Sequence, residues 1–405
     1  MSRLLAITGR APYSTTEEAF VQDELETMVR HDVDVVVVPT RLATDAPNAG
    51  AVRSGLVDRV VAQPLIGPRV LLGALATLVR HPVLTVVAVT EALVGSGSLR
   101  NLAANVVSVP KALWAARLAR RVGATHVHAY WYAHQATIAM IVGRIAGIPW
   151  SATGFRWDID ADNALDAKIE RAAFLRVADE LGERLVRERV AASRRPGCPV
   201  YLIRTGVEMA PPVSTAAPAR PPVLCCPGGF VEKKGHRFLI EALQPWAADG
   251  REFELHLFGD GPLRADLEGR LETSGLARHT TLHGIVELSV LRGFLRERRP
   301  VVVLPSIRAD DGQEEGIPVV LIEAMAASCP VVSTRTGSIP DLVLDGCGWL
   351  VRDRDPEALR VALEDAVTHP DRTADVVARA RERVAGEFDR DVSAMRLVEL
   401  CETAT

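Results

Sequence analysis

The chain has 405 residues, 48% of them hydrophobic and 24% charged, which is enough apolar material for two cores. Its 47 basic and 51 acidic residues leave a formal net charge of -4, so there is no global electrostatic case for a nucleic-acid partner. The six cysteines are scattered, with no CxxC pair and no zinc spacing. They argue against a disulfide scaffold and for a reducing, cytoplasmic setting.

The opening MSRLLAITGRAPYS turns polar too quickly for a signal peptide. Residues 4–8 read as a short buried strand, 17–30 as a helix, and 34–38 as a β-branched strand of the parallel type. Residues 70–94 are the most apolar stretch, but Arg80, His81 and Pro82 interrupt it, and neither flank is long enough to span a membrane. The preferred expectation is a helical pair packing its apolar face on the domain. The other reading is a face resting on a membrane surface, helped by Arg69, Arg80, Arg100 and Lys111, which would make the protein peripheral to the inner face of a membrane.

Further on, 112–122 and 135–146 read as helices, and 125–129 and 149–152 as strands. The proline-rich run APPVSTAAPARPP, residues 210–222, reads as a linker. A second alternation follows: strands at 223–226, 254–258, 301–304 and 331–332, helices at 237–243, 262–273 and 319–327, and a largely helical end from 356 to 400. The expected fold class is α/β, with two Rossmann-like doubly wound domains, residues 1–210 and 211–385. Ligands in such folds sit at the carboxyl ends of the strands, so a cleft facing both domains is the expected site.

The strongest chemical signal is EGIPVVLIEAMA, with Glu315 and Glu323 eight positions apart at the opening of a helix. Gly316 lets a ligand approach the backbone, and the first free N–H groups of the helix favour an anion such as a diphosphate. Taken alone, the two glutamates could be a helix-terminal charge and a solvated face. Glu323, however, lies in an apolar run where a carboxylate must find a partner.

This run resembles the E-x7-E motif of glycosyltransferase family 4, retaining enzymes of the GT-B fold. Gly228-Gly229-Phe230-Val231-Glu232-Lys233-Lys234-Gly235 is similar to that family's phosphate loop. Gly259-Asp260-Gly261 is similar to its second glycine loop, and Gly284-Ile285 to the segment that meets the base through its backbone. The resemblance implies that Lys234 neutralises the leaving diphosphate, Glu315 holds the donor sugar and Glu323 the ribose. It implies donor contacts at Gly228, Gly229, Gly259, Asp260, Gly261, Gly284, Ile285, Gly316, Ile317 and Pro318. A lone GDG is as often a strand-to-helix turn, and both readings of Gly259 and Gly261 stay open.

In the first half, the segment 13–20 resembles an acceptor-facing loop, with Thr16 and Glu17 as candidates. Tyr130, Trp131, Phe155, Arg156 and Asp158 are further acceptor candidates, and Trp157 could stack on a sugar; ordinary core aromatics are the competing reading. The resemblance also implies that a terminal helix, residues 386–405, crosses back to the first domain.

Two positions depart from the family pattern. Phe155 stands where a histidine is usual, and Gly229 where an arginine is usual, which removes a strong phosphate contact. Arg308 and Arg204 are candidate substitutes. The Asp-x-Asp triplets and the acidic run WDIDAD could hold a divalent ion, but a solvated loop or acceptor contact is preferred. The resemblance implies transfer without a metal or cofactor, from a nucleotide-diphosphate sugar, UDP-sugar foremost, to a hydroxyl of a glycan, lipid-linked or small-molecule acceptor. The alternatives are a degenerate relative that binds nucleotide or a partner without transfer, and a phosphorylase-like enzyme with lysine-bound pyridoxal phosphate, which no sequence feature favours.

Overall fold

The computed structural model describes residues 2–12, 18–42, 49–211 and 221–404, apart from the side chains of 49, 50 and 157. The chain forms two compact units. Unit 1 is Met1–Gly206 with Arg390–Thr405, and unit 2 is Val207–Asp389. The division therefore falls a few residues from the expected boundaries, and most of the expected linker lies outside the described residues.

Unit 1 carries β1 (Arg3–Thr8), β2 (Asp34–Pro39), β3 (His126–Tyr130), β4 (Trp150–Gly154), β5 (Phe174–Val177) and β6 (Val200–Leu202). They form one parallel sheet in the order β2-β1-β3-β4-β5-β6. Leu4 pairs with Val35 on one side and His126 on the other. Side chains alternate along each strand, so Leu5 and Ile7 enter one core while Leu4 and Ala6 enter the opposite one. Both faces are covered, which is why β1 and β2 read as unbroken apolar runs.

The terminal helix Arg390–Thr403 completes the second of these cores with Ala394, Leu397 and Val398, against Leu25 and Met28 of the helix Ala19–Arg30. The long helix Leu99–Val122 begins half a helix earlier than its sequence suggests. Ser98 caps it by accepting from the Asn101 N–H, Pro110 is tolerated inside it, and Gly123 ends it in the left-handed region.

The apolar stretch forms two helices, Pro68–Arg80 and Pro82–Leu93, bent by 115°. Their packing departs from expectation. Fully buried positions are small or short (Val70, Ala74 and Thr77; Thr85, Ala88 and Ala92), Leu84 and Val89 pack on the core partly buried, and Leu71, Leu72, Leu75, Val79, Val83 and Val86 face outward. Among the described residues no single helix is long and apolar enough to cross a membrane.

Unit 2 carries β7 (Val223–Pro227), β8 (Glu254–Phe258), β9 (Thr280–Gly284), β10 (Val301–Leu304), β11 (Val331–Thr334) and β12 (Trp349–Val351). All pairings are parallel, in the order β12-β11-β10-β7-β8-β9. Read from the other edge, this is the strand order of a dinucleotide-binding fold, whose switch point lies between its first and fourth strands, here β7 and β10. β9 and β12 are edge strands that escaped the sequence reading, β9 because it is of mixed polarity and β12 because it has only three residues.

Candidate active site

The loops at the carboxyl ends of β7, β8 and β10 converge at this switch point. The Gly228 N–H donates to Phe258 O at 2.8 Å, the Phe230 N–H to Asp260 O at 2.9 Å, and the Gly259 N–H to Gly284 O at 2.9 Å. A Cβ on Gly259 would fall 2.1 Å from Gly228 O, and one on Gly261 would fall 2.6 Å from Phe230 O. Both glycines are thus required by backbone lacing, whatever they do toward a ligand. The Asp260 carboxylate accepts from the Gly261 N–H and from Arg264, and these bonds hold its pKa below the usual range. Ile285 is well exposed beside Gly284.

Lys234 ends the short turn Glu232–Lys234 and is followed by Gly235 at φ 66°. A side chain at Gly235 would strike Pro305 O at 1.9 Å, so glycine lets this turn press against the loop after β10, where the Ile307 N–H donates to Lys233 O. The Lys234 side chain lies over Gly228 and ends 2.9 Å from Glu315 Oε1, with Lys233 Nζ 4.0 Å from the same oxygen. Glu315 is buried, and its backbone is braced by Gly337 and by the Ser338 N–H, which donates to Glu315 O.

The helix Val319–Ala326 starts four residues after Glu315, with Pro318 as its cap residue. Glu315, Gly316 and Ile317 therefore belong to the loop before the helix, which corrects the expectation of both glutamates on one helix opening. Glu323 is buried on that helix and accepts from Arg292, Nε at 3.0 Å. Arg292 lies on the helix Leu288–Arg298 and carried no local sequence signal, because its partner is distant in the chain. Arg308 is 69% exposed and 3.5 Å from Glu314. Arg204 belongs to unit 1, where it pairs with Glu180 at 2.7 Å. His236, buried just beyond Gly235 and against Phe230, has its pKa pushed down to about 4 by burial and then by the charge of Lys234.

Unit 1 holds a second feature, a cavity of about 1050 Å³ lined by Gly9, Arg10, Glu18, Arg41, Arg100 and Trp131 among others. It lies at the carboxyl ends of β1, β2 and β3, again beside a reversal of strand order. The buried Glu18 carboxylate accepts from the N–H groups of Gly9, Arg10 and Ala11 and from Trp131 Nε1. Three guanidinium groups thus line the cavity against one carboxylate that already holds four donors. His134 also lines it, with its pKa pushed down to about 4 by burial and by Arg41 and Lys168. Trp131 sits at φ 89°, a conformation rare for a bulky residue and one that clusters at functional sites.

The remaining acceptor candidates divide. Thr16 and Glu17 lie outside the described residues, as does the side chain of Trp157. Phe155 packs on Trp131 and Phe20, ring centroids 4.7 and 5.0 Å away, an aromatic setting that suits phenylalanine better than a charged imidazole. Tyr130 corrects its expectation: it is buried, and its hydroxyl donates to Glu24 at 2.6 Å, so no acceptor reaches it. Asp158 is buried too, accepting from the Tyr132 and Phe155 N–H groups at 3.0 Å. Burial raises its pKa to about 7, against the opposing pull of those amides and of Lys168. Arg156 pairs with Asp160, and Asp162 with Arg189, so the three carboxylates of WDIDAD have separate partners. Among the described residues no cluster of metal-binding side chains occurs.

Two parallel doubly wound units define the two-domain, Rossmann-like GT-B fold. Residues 221–369 match the family model described as Glycosyl transferases group 1. It is 36% identical over 215 residues to WcaL of Salmonella typhimurium, assigned to colanic acid biosynthesis as a glycosyltransferase, with 51% of this chain and 52% of that one covered. It is 26% identical over 323 residues to a GDP-mannose-dependent alpha-(1-6)-phosphatidylinositol monomannoside mannosyltransferase of Mycolicibacterium smegmatis, covering 72% and 81%. The chain spans about half the length of the first curated relatives it matches. In fold it is similar to Anabaena HepE in complex with UDP and glucose, at a TM-score of 0.69 and 15% identity over the whole of both chains.

Proposed function

We propose that the protein transfers a glycosyl group from a nucleotide-diphosphate sugar, UDP-sugar foremost, to an acceptor hydroxyl, with retention of anomeric configuration and without a metal. The observation that carries this reading is the Lys234–Glu315 pair at the switch point of unit 2. An ammonium held there by a buried carboxylate is placed to meet charge as it develops on a leaving diphosphate.

In this reading the bond from the anomeric carbon to the phosphate oxygen breaks, and a bond from the acceptor oxygen to that carbon forms on the same face. The acceptor proton passes to the departing phosphate. Lys234 and the N–H groups opening the helix Val319–Ala326 stabilise the phosphate. Glu315 orients the sugar, and Glu323, itself oriented by Arg292, meets the ribose. The Gly228-Gly229 and Gly259-Asp260-Gly261 loops shape the phosphate side, and Gly284-Ile285 the base side. The acceptor reading falls on the cavity of unit 1, with Trp131 on its wall and Phe155 packed behind it.

The test is a melting series with UDP, GDP, ADP, TDP and CDP, with and without a chelator, followed by donor turnover with the nucleotide that binds. Stabilisation by UDP that the chelator leaves unchanged, and turnover of a UDP-sugar, support the proposal. A rise with GDP alone moves the donor class. No rise with any of the five overturns the donor assignment.

A further inference from the structure

The helix Leu99–Val122 is inverted over its first turns. Leu99, Leu102 and Val106 recur at the spacing of one helical face, and all are exposed. The opposite face buries polar groups: Asn105 bonds to Ser96, Asn163 and Thr137, and Ser108 is buried beside it. The neighbouring helices also expose large apolar side chains, with Leu72 68%, Val79 73% and Val83 76% exposed. Of the twenty-one exposed large hydrophobics among the described residues, thirteen fall between Ile66 and Val107. Concentrated apolar exposure of this kind marks an interaction face.

The charge around it indicates the partner. Arg69, Arg80 and Arg100 are exposed on this segment, and its one acid, Glu91, is within 3.7 Å of Arg144 and 3.4 Å of Arg171. The face is thus apolar and cationic in a chain whose overall charge is negative. Lys111, expected to join this group, does not: it is buried and donates to Pro39 O at 2.9 Å.

We infer that unit 1 docks peripherally on an anionic lipid bilayer through the outward face of residues 66–107. The apolar side chains enter the interface and the arginines meet lipid phosphates. The two helices of 13 and 12 residues, sharply bent, lie in the interface and do not span it. Helix Leu99–Val122 also turns Arg100, Ala104 and Val107 to the unit 1 cavity, so the docking face and the cavity share a wall.

The experiment is co-sedimentation of the full chain with phosphatidylcholine vesicles and with vesicles containing roughly one third phosphatidylglycerol. The expected result is strong partition onto the anionic vesicles that weakens with salt. The Leu72→Glu/Val79→Glu variant should lower it at least tenfold at unchanged melting temperature, because both side chains are already solvated. Arg69→Glu/Arg80→Glu should lower it severalfold on anionic vesicles only. Absent partition, or partition that both variants leave intact, overturns the inference. So does concentration-dependent dimerisation lost in Leu72→Glu/Val79→Glu, which would give the face to a second copy. Nucleotide-dependent melting reads unit 2, so failure here is separable from failure of the donor assignment.

Discussion

Lys234 Nζ lies 2.9 Å from the buried Oε1 of Glu315, a contact made by two loops that are far apart in sequence. Each loop reaches it through a glycine in the left-handed region, Gly235 for the lysine and Gly337 for the glutamate. If this pair forms the reacting end of the donor site, Lys234→Ala and Glu315→Gln should each lower kcat/KM by about 10²–10³-fold. Because they act together, the double variant should fall short of the product of the two losses. Steady-state kinetics of the three variants checks this; wild-type turnover in either single variant refutes the assigned role.

Gly229 is the loop glycine with room for a side chain. A Cβ there meets only Asp260 O, at an ordinary 3.6 Å. Gly229→Arg should therefore fold normally and tighten nucleotide-diphosphate binding about tenfold, as a charge-assisted bond would. Gly259→Ala and Gly235→Ala collide with backbone at 2.1 and 1.9 Å and should lose several kcal/mol of stability. Calorimetric titration and thermal melting separate the two outcomes.

Arg176 and Glu24 form a buried ion pair at 2.8 Å, with Tyr130 on the same carboxylate oxygen and Arg176 Nε donating to Ile203 O. Removing one partner strands the other charge in the core. Glu24→Ala should cost unit 1 about 3–5 kcal/mol, while leaving nucleotide binding by unit 2 intact in the folded fraction. Denaturant titration measures the first effect and nucleotide-dependent melting the second.

Buried histidines set an acid limit. His126 is held near pKa 4, below the usual 6.5 of a histidine, because burial disfavours the charged ring. A lowered folded value means that its contribution is fully present above about pH 6.5 and is lost as pH falls toward 4. His134 and His236 add the same sign. Asp158 opposes them: its folded pKa, raised to about 7 from 3.8, gives stability present below pH 3.8 that is lost as pH rises through 7. Denaturation midpoints between pH 7.5 and 4.5 should fall, and His126→Gln should flatten that fall; an unchanged slope refutes the assignment to His126.

Much of unit 2 was legible because its signals are local. Strands β7, β8 and β10 are apolar runs bounded by glycine or proline, and Glu323 stood out as a carboxylate within VVLIEAMAA. Glu18 was harder to see. Only its neighbour Glu17 was singled out in sequence, and it is the folded loop that shows the Glu18 carboxylate capping Gly9, Arg10 and Ala11. Tyr130 looked like an acceptor platform beside Trp131, yet it ends β3 buried with its hydroxyl on Glu24, whereas Trp131, past the end of the strand at φ 89°, lines the cavity.

By itself the sequence determined the class of fold and the alternation of strands and helices in both halves. Those depend on periodicity and on contacts within a few positions. The tertiary structure alone decided that Glu323 is held by Arg292, that Lys111 is buried, and that large apolar side chains of residues 66–107 face outward. Hydrophobicity along a chain records which side chains avoid water, but which helical face meets a core depends on where distant elements pack.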